Sequence, residues 1–189
     1  MINSYDFDKT IYNGDATIDF YLYCLKRKKS IILLLPNQIL GMILYKLKLK
    51  EKEYFKEKFF SFLKKISDVD MYIEDFWKEN KTKIKEWYLK QKDKTDVIIS
   101  ASPEFLLMPI AKELDINLIA TIVDKKTGKF LSYNCYGKEK VKRFKQEYKN
   151  TKIKEFYSDS LSDLPMMKIA KKAYLVKGNK IEEYKIKHK

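Results

Sequence analysis

The sequence predicts an α/β protein with a three-layer architecture, in which helices cover both faces of a parallel sheet. Short apolar and β-branched runs such as Val97-Ile98-Ile99 alternate with stretches of helical periodicity. Residues 15–91 are almost entirely helical in pattern and follow the first strand, so we expect them to form an inserted cap. Polar side chains follow the predicted strands at their carboxyl ends, where open sheets of this kind bind ligands.

A predicted strand begins the chain, and a helical block follows it. Residues 1–6 predict a short buried strand, and the three- and four-residue spacing of Phe55, Phe59 and Phe62 is typical of the helices expected over 15–91. After the strand at 97–99, Ser102 is expected to cap a helix that ends near Leu114. The remaining predicted elements are a strand over 117–123, a hairpin turn at Thr127-Gly128 leading into 130–133, a helix over 138–148, a strand over 153–157, a short helix over 166–171, and strands over 173–176 and 181–184.

The composition fits one domain with an inserted subdomain. The chain has 189 residues, of which 45% are hydrophobic, and this is sufficient for a sizeable core. Its net charge is +14, but Arg27 and Arg143 are the only arginines among 40 basic residues. Because Arg is the preferred reader of guanine and phosphate, and the lysines are scattered, we interpret them as a solvated surface that also attracts anionic substrates. A basic nucleic-acid-binding module is the non-enzymatic alternative.

Cysteine and histidine usage excludes several classes of site. Cys24 and Cys135 lie far apart in sequence and form no CxxC or Cys/His pattern, which argues against zinc. The single histidine, His188, lies near the end of the chain, so a Ser-His or Cys-His mechanism lacks a base. The N-terminal residues resemble a strand rather than a signal peptide, and we expect a cytoplasmic protein.

The segment 31–45 is the most apolar part of the chain. Ile31 to Leu35 precede Pro36-Asn37-Gln38, and a second apolar run covers residues 39–45. The segment is too short and too interrupted to predict a membrane span. We expect a buried helix pair here, with contact to a membrane surface as the alternative.

Asp6 and Asp8 are the most informative pair in the chain. Side chains two residues apart on a strand point to the same side, so both carboxylates can approach one spot where the first strand ends. Two carboxylates repel each other unless a cation or a shared proton compensates. Mg²⁺ prefers oxygen ligands and is the natural compensating ion.

Three further polar groups lie at predicted strand ends or helix starts. Ser100 closes the strand at 97–99, and Asp159 and Asp163 follow the strand at 153–157. Lys138 and Lys140 lie at the start of a predicted helix. Asp163 also precedes Leu164-Pro165, where an N-cap is the structural alternative.

Taken together, these motifs resemble the haloacid dehalogenase superfamily of phosphohydrolases, and within it the subfamily with a helical cap inserted after the first motif, which includes phosphoserine phosphatases. All four family motifs occur in order. The resemblance implies a Rossmann-like core formed by residues 1–14 and 92–189, with a helical cap at 15–91. It also implies an Mg²⁺-dependent phosphatase that forms an aspartyl-phosphate.

The resemblance implies a role for each residue of the first motif. Asp6-Phe7-Asp8-Lys9-Thr10 matches the family pattern. Asp6 would be the nucleophile and Asp8 the acid/base that protonates the leaving oxygen and later activates water. Thr10 would support them without contacting the phosphate. The second Asp is typical of the phosphatases of the family.

The other three motifs would supply phosphate and metal contacts. By resemblance, Ser100 donates a hydrogen bond to the phosphate. Lys140, preferred over Lys138, neutralises the phosphate and the nucleophile. Asp159 would ligate Mg²⁺ with Asp6 and the backbone carbonyl of Asp8, while Asp163 ligates through water or orients the lysine. Ser158 stands where the family often has Gly.

The substrate is less defined than the reaction. Asp15 occupies the position of a substrate-amine ligand in phosphoserine phosphatases. Those enzymes hold the substrate carboxylate with a cap arginine, and the only cap arginine here, Arg27, lies in a basic run that is typical of an exposed surface. We therefore expect a small phosphorylated metabolite. Phosphoserine and a lipid-linked phosphate, such as phosphatidylglycerophosphate, are the alternatives.

Overall fold

The computed structural model describes residues 1–185, and their centre is a six-stranded sheet. The strands are β1 (Ile2–Tyr5), β2 (Val97–Pro103), β3 (Asn117–Thr121), β4 (Ile153–Ser158), β5 (Ala170–Lys177) and β6 (Lys180–Glu183). Their order across the sheet is β3-β2-β1-β4-β5-β6, and all neighbours are parallel except β5 and β6. The carboxyl ends of β1, β2 and β4 therefore lie side by side at one edge of the sheet.

Eight α-helices accompany the sheet within the described residues. They are α1 (Ala16–Arg27), α2 (Leu35–Lys46), α3 (Lys52–Phe60), α4 (Val69–Asn80), α5 (Glu86–Gln91), α6 (Glu104–Glu113), α7 (Lys138–Glu147) and α8 (Leu164–Met167). The first five lie between β1 and β2, together with three short 3₁₀ turns. The α/β sheet with a helical insertion, predicted from the sequence, is confirmed.

Alternating residues of β2 divide the core into two layers. Ile98 faces a large cluster that includes Phe20 of α1, Phe76 of α4 and Leu107 of α6. Val97 and Ile99 point to the opposite face of the sheet, where they meet α7 and α8 through residues such as Phe144 and Met166. The inserted helices thus share one continuous apolar cluster with the sheet.

Two predicted local features differ from the structure. β2 continues past the expected end at Ser100 to Pro103, with a register shift against β3, so Ser102 lies in a strand and does not cap α6. The hairpin expected after Thr127-Gly128 reduces to a single bridge between Val123 and Phe130. There the side chain of Asp124 accepts hydrogen bonds from the next backbone amides and forms a wider turn.

The expectation of a buried helix pair at 31–45 is wrong. Ile31, Gln38 and Gly41 are buried, but most apolar side chains of this segment are exposed. Leu33, for example, is 74% exposed. The chain folds here as a 3₁₀ turn followed by α2, which packs on α3 along one side only.

Among residues 1–185, none of the helices combines the length and the apolar character needed to cross a bilayer. Cys24 and Cys135 are both free and buried. His188 lies outside the described residues.

Candidate active site

The end of β1 places two aspartates in a tight turn. The amide of Asp6 donates to the carbonyl of Tyr157 at 2.9 Å, so Asp6 continues the pairing of β1 with β4. Phe7 is fully buried and anchors the turn in the core. Lys9 follows with a φ of 58°, a left-handed conformation that costs energy for a residue other than glycine. Backbone strain at this point is consistent with a site that holds Asp6 and Asp8 in fixed positions.

Lys140 is the buried cation of this site. Its Nζ donates to Asp6 Oδ1 at 2.7 Å and to Asp163 Oδ2 at 2.8 Å, and the side chain is almost fully buried. The first turn of α7 carries it, directly after Gly137, whose φ of 56° suits glycine. Lys138, the other candidate, is exposed. The structure therefore brings Lys140, and not Lys138, to the aspartates.

Asp163 is held by the site rather than by the helix that follows it. Its Oδ2 also accepts a hydrogen bond from Ser158 Oγ at 2.8 Å, and it makes no side-chain cap to α8. Asp163 thus stands at the N-cap position of α8, but its side chain binds Lys140 and Ser158 instead of capping the helix. Ser158, the departure from the family glycine, has no positive φ and supplies a donor to Asp163.

Thr10 links the first and last motifs. Its Oγ1 donates to Asp6 Oδ2 at 3.3 Å and accepts from the backbone amide of Asp159 at 2.9 Å. The hydroxyl is buried, so both bonds form away from water. Thr10 thereby fixes the position of Asp159 relative to Asp6.

Asp8 is oriented by donors from two other elements. Its Oδ1 accepts from the amide of Ala16 at the start of α1 at 2.7 Å, and its Oδ2 accepts from Ser102 Oγ at 2.5 Å. The hydroxyls of Ser102 and Thr17 also lie 2.9 Å apart. Sequence reasoning missed Ser102 as a partner of Asp8, because the two residues are 94 positions apart and only the fold joins them.

Ser100 and Asp15 occupy less direct positions. Ser100 is fully buried, and its Oγ accepts a hydrogen bond from the amide of Ser102 at 3.1 Å. Asp15 caps α1 by accepting from the amide of Ile18 at 3.0 Å, and it also reaches the cavity above Asp8. A phosphate contact for Ser100 and a substrate contact for Asp15 stay predictions.

Burial raises the pKa values of Asp6, Asp8 and Asp159. For Asp6, burial is the largest cause of a raised pKa and Lys140 opposes it. For Asp8, burial and then repulsion by Asp15 and Asp6 raise the pKa to about 7. Burial disfavours the charged form of Lys140, but Asp6 and Asp163 outweigh this and raise its pKa. Lys140 is therefore a permanent ammonium, whereas Asp8 can take up or release a proton near neutral pH.

A cavity of about 350 Å³ opens above these groups. Asp6, Asp8 and Asp159 all line it, together with Lys140 and Asp163. It joins the predicted nucleophile, acid/base and metal-binding residues in one space. Ser100 is not part of this lining, although the neighbouring Ala101 is.

The donor set of this cavity fits a hard divalent cation. The carboxylates of Asp6 and Asp163 contact the buried ammonium of Lys140, and Asp159 lines the same cavity. Asp163 Oδ1 is buried without a hydrogen-bond partner. In residues 1–185 no group of three or more His, Cys, Asp or Glu side chains is arranged to hold a metal. The metal ligands implied by the resemblance are only the carboxylates of Asp6 and Asp159 and one backbone carbonyl. The features of the cavity that favour Mg²⁺ are therefore its excess negative charge and its oxygen donors.

A second cavity of about 330 Å³ runs from Asp8 toward the inserted helices. Its walls are mostly apolar and include Ile18 of α1 with Phe55 and Phe59 of α3. We call it the apolar trough. Lys56 also lines it, and its Nζ donates to the carbonyl of Ala101 at 2.8 Å and to Asn134 Oδ1 at 2.9 Å. Sequence reasoning missed Lys56, because nothing in the local sequence distinguishes it from the many other lysines of the chain.

Comparison with solved structures agrees with the fold. A protein of unknown function from Bordetella pertussis Tohama I matches with a TM-score of 0.72 and 20% identity, over 91% of this chain and 87% of the other. A phosphoserine phosphohydrolase-like protein from Francisella tularensis matches with a TM-score of 0.55 and 18% identity, over 92% and 86%. A HAD family hydrolase from Salmonella enterica serovar Typhi matches with a TM-score of 0.58 and 14% identity, over 89% and 60%. At these identities the similarity concerns the fold alone.

Sequence comparison identifies the family. No curated protein matches the chain at a significant level. The family model of haloacid dehalogenase-like hydrolases matches residues 4–168, which include every motif described above and most of the chain. The resemblance inferred from the four motifs is thus confirmed, and the chain belongs to the haloacid dehalogenase-like hydrolase family.

Proposed function

We propose that this protein is an Mg²⁺-dependent phosphomonoesterase that acts through an aspartyl-phosphate on Asp6. The observation that carries the proposal is the pair of aspartates with different partners. Asp6 is bound to the buried ammonium of Lys140, whereas Asp8 is bound to a neutral hydroxyl and a backbone amide. One carboxylate is thereby kept available for attack, and the other is able to carry a proton.

The first step transfers the phosphoryl group to the protein. A carboxylate oxygen of Asp6 attacks phosphorus, and the bond between phosphorus and the ester oxygen breaks. Protonated Asp8 gives its proton to the leaving oxygen, which departs as an alcohol. The ammonium of Lys140 contacts Asp6 directly, so it lowers the repulsion between the nucleophile and the phosphate.

The second step regenerates the enzyme. Asp8, now ionised, accepts a proton from water as that water attacks phosphorus, and the bond to Asp6 breaks to release inorganic phosphate. A raised pKa suits Asp8 for both halves of this cycle. Mg²⁺ would be held by Asp6, Asp159 and the Asp8 carbonyl, and its charge would offset that of the phosphate.

The helical segment 15–91 would act as the cap over this site, with residues 1–14 and 92–185 as the described part of the core. Lys52 at the start of α3 and Asp15 before α1 line the catalytic cavity, which supports this division of labour. A small phosphorylated compound is the proposed substrate class. Phosphoserine gains no support from Arg27, because its guanidinium pairs with Glu79 at 2.6 Å and it lines neither cavity.

Hydrolysis of p-nitrophenyl phosphate tests the proposal. We expect turnover with Mg²⁺ and none in chelator, and Asp6→Asn abolishes it because an amide cannot form the acyl-phosphate. Asp19→Asn is the matched control, since Asp19 lies on α1 and pairs with Lys83 outside the cavity. Full activity of Asp6→Asn, or full activity in chelator, contradicts the mechanism.

A further inference from the structure

The outer side of α2 is an exposed apolar face. Its side chains are spaced three or four residues apart and therefore lie along one side of the helix and of the turns that flank it. Leu33 is 74% exposed and Leu47 is 63% exposed. We call this set the α2 face; its members are Leu33, Pro36, Ile39, Leu40, Ile43 and Leu47.

The inner side of α2 fixes this orientation. Gln38 is buried and bridges two elements, accepting from the hydroxyl of Tyr21 at 2.9 Å and donating to the carbonyl of Phe59 at 3.0 Å. Gly41 packs so closely on Lys58 that an added Cβ would lie 2.9 Å from its side chain. The helix is thus held against α3 by specific contacts on its inner side, and the α2 face points outward. A contiguous exposed apolar face of this kind marks a site of contact with a partner or a membrane.

Positive charge flanks the α2 face at both ends. Residues 26–50 contain no Asp or Glu. Four basic residues precede the face, and three more alternate with apolar residues at its other end: Lys26, Arg27, Lys28, Lys29, Lys46, Lys48 and Lys50. All seven are exposed. An apolar strip between clusters of lysine is the arrangement that binds an anionic bilayer surface. A second copy of this chain would instead bring like charges together.

The α2 face is also connected to the candidate active site. Tyr45 of α2 stacks on Phe55 of α3, with ring centroids 5.9 Å apart. Phe55 in turn lines the apolar trough that begins at Asp8. Contact between the α2 face and a lipid surface would therefore bring the trough close to that surface.

We propose that the α2 face docks on an anionic lipid bilayer, and that the apolar trough receives the hydrocarbon part of a phosphate ester carried by that bilayer. The docking stands on the α2 face and its flanking lysines alone. The assignment of the substrate as an amphiphilic phosphomonoester rests on the proposed phosphatase function.

Vesicle flotation tests the docking. The wild-type protein floats with vesicles of equal parts phosphatidylglycerol and phosphatidylcholine, does not float with phosphatidylcholine alone, and is released by high salt. Leu40→Asn with Ile43→Asn weakens binding by about tenfold or more, because two apolar side chains no longer enter the interface. The matched control replaces Leu89 and Leu131 by Asn, since both are exposed apolar residues away from α2.

Charge is tested in the same way. Lys28→Gln with Lys29→Gln weakens vesicle binding by about thirtyfold, because each lysine near an anionic surface contributes about 1 kcal/mol and about 1.4 kcal/mol corresponds to a factor of ten. Lys171→Gln with Lys172→Gln, an exposed pair on β5, leaves it unchanged. Equal binding of the wild type, the Leu40/Ile43 variant and the Lys28/Lys29 variant overturns the proposal, and so does the absence of wild-type binding. Dimerisation that the Leu40/Ile43 variant abolishes, without vesicle binding, also overturns it and assigns the face to self-association.

Activity separates the docking from the reaction. We expect the Leu40/Ile43 variant to hydrolyse soluble p-nitrophenyl phosphate at the wild-type rate but to lose activity on a long-chain alkyl phosphate embedded in the vesicles. Equal loss on both substrates contradicts the substrate assignment. Vesicle binding without hydrolysis of either substrate refutes the phosphatase function and leaves the docking intact. Hydrolysis of p-nitrophenyl phosphate without vesicle binding refutes the docking and leaves the phosphatase function intact.

Discussion

At the scale of single residues, the sequence located the charged groups better than the neutral ones. Asp6, Lys140 and Asp163 were predicted from motif order, and they meet through hydrogen bonds of 2.7 and 2.8 Å. Ser102 was assigned to a helix cap and instead binds Asp8. A serine is compatible with turns, caps and strands alike, so its partner depends on which strands lie side by side. That information is in the tertiary structure and not in the local sequence.

Replacement of Lys140 distinguishes the two lysine candidates. Lys140→Met leaves the carboxylates of Asp6 and Asp163 buried without their cation, so we expect a loss of about 3–5 kcal/mol in the free energy of unfolding. The loss shrinks as the pH falls, because burial raises the pKa of Asp6 and Lys140 no longer opposes it, so this carboxyl is neutralised by a proton in the variant. Turnover falls by at least about a hundredfold.

Lys138→Met is the control for this prediction, since Lys138 is exposed and lies only two residues before Lys140. It should change the stability by less than about 0.5 kcal/mol and leave turnover intact. Urea unfolding and p-nitrophenyl phosphate kinetics measure both effects. A larger loss of activity in the Lys138 variant would reverse the assignment.

The pH dependence of turnover tests the raised pKa of Asp8. Burial and the carboxylate of Asp15 hold this pKa near 7. In the proposed mechanism Asp8 is protonated for the first step, so we expect kcat to decline as the pH rises through that value. Asp15→Asn removes a negative neighbour and retains a side chain that can cap α1. The pKa of Asp8 then falls, and the alkaline limb moves to lower pH by roughly half to one unit. Asp19→Asn leaves the limb in place, and a shift to higher pH in Asp15→Asn contradicts the acid role.

At the scale of elements, β-branched runs and helical spacing were sufficient for most of the fold. All six strands were predicted near their observed positions, and residues 15–91 were predicted as a helical block. Buried parallel strands have few alternatives to continuous apolar runs. The exact ends of elements were less predictable. β2 extends to Pro103 through a register shift, and this depends on its neighbour β3 rather than on its own residues.

Lys85 shows how one side chain fixes three elements around the site. It precedes α5, is buried, and its Nζ donates to the carbonyls of Lys9 and Gly178, each at 2.6 Å. It therefore ties the strained turn after Asp8 to the hairpin between β5 and β6. The sequence concealed it among 40 basic residues, because nothing local distinguishes a buried lysine from a solvated one.

Lys85→Met should release this connection. The carbonyls of Lys9 and Gly178 lose a charged hydrogen-bond donor, so we expect a loss of about 2–4 kcal/mol in unfolding free energy. Turnover should also slow, since the turn that holds Asp8 is no longer anchored. Lys83→Met is the control: it removes a partly exposed ion pair with Asp19, worth less than about 1 kcal/mol. Thermal unfolding and steady-state kinetics provide the comparison. Equal effects of the two variants would show that Lys85 has no special role.

At the scale of the whole molecule, the sequence predicted the insertion but not how it is used. Residues 15–91 divide between two environments. α1, α4 and α5 contribute Phe20, Phe76 and Tyr88 to the same cluster as Ile98 of β2, whereas α2 presents an apolar side to solvent. Hydrophobicity alone does not separate these cases, because a helix that packs on the sheet and a helix that faces outward can have the same composition. The distinction is set by which faces are already occupied.

The shared cluster leads to a prediction about cooperativity. If the insertion and the sheet bury one continuous core, urea unfolding is a single transition, and tryptophan fluorescence coincides with far-UV circular dichroism. Trp77 and Trp87 both lie in the insertion, so fluorescence reports on it alone. Ile98→Ala on β2 and Phe76→Ala on α4 remove buried side chains from opposite sides of the cluster, at a cost of about 2–5 kcal/mol each. Each variant should lower both midpoints together. A Phe76 variant that moves only the fluorescence transition, or a dichroism curve with two steps, would instead identify the insertion as a subdomain that unfolds independently of the sheet.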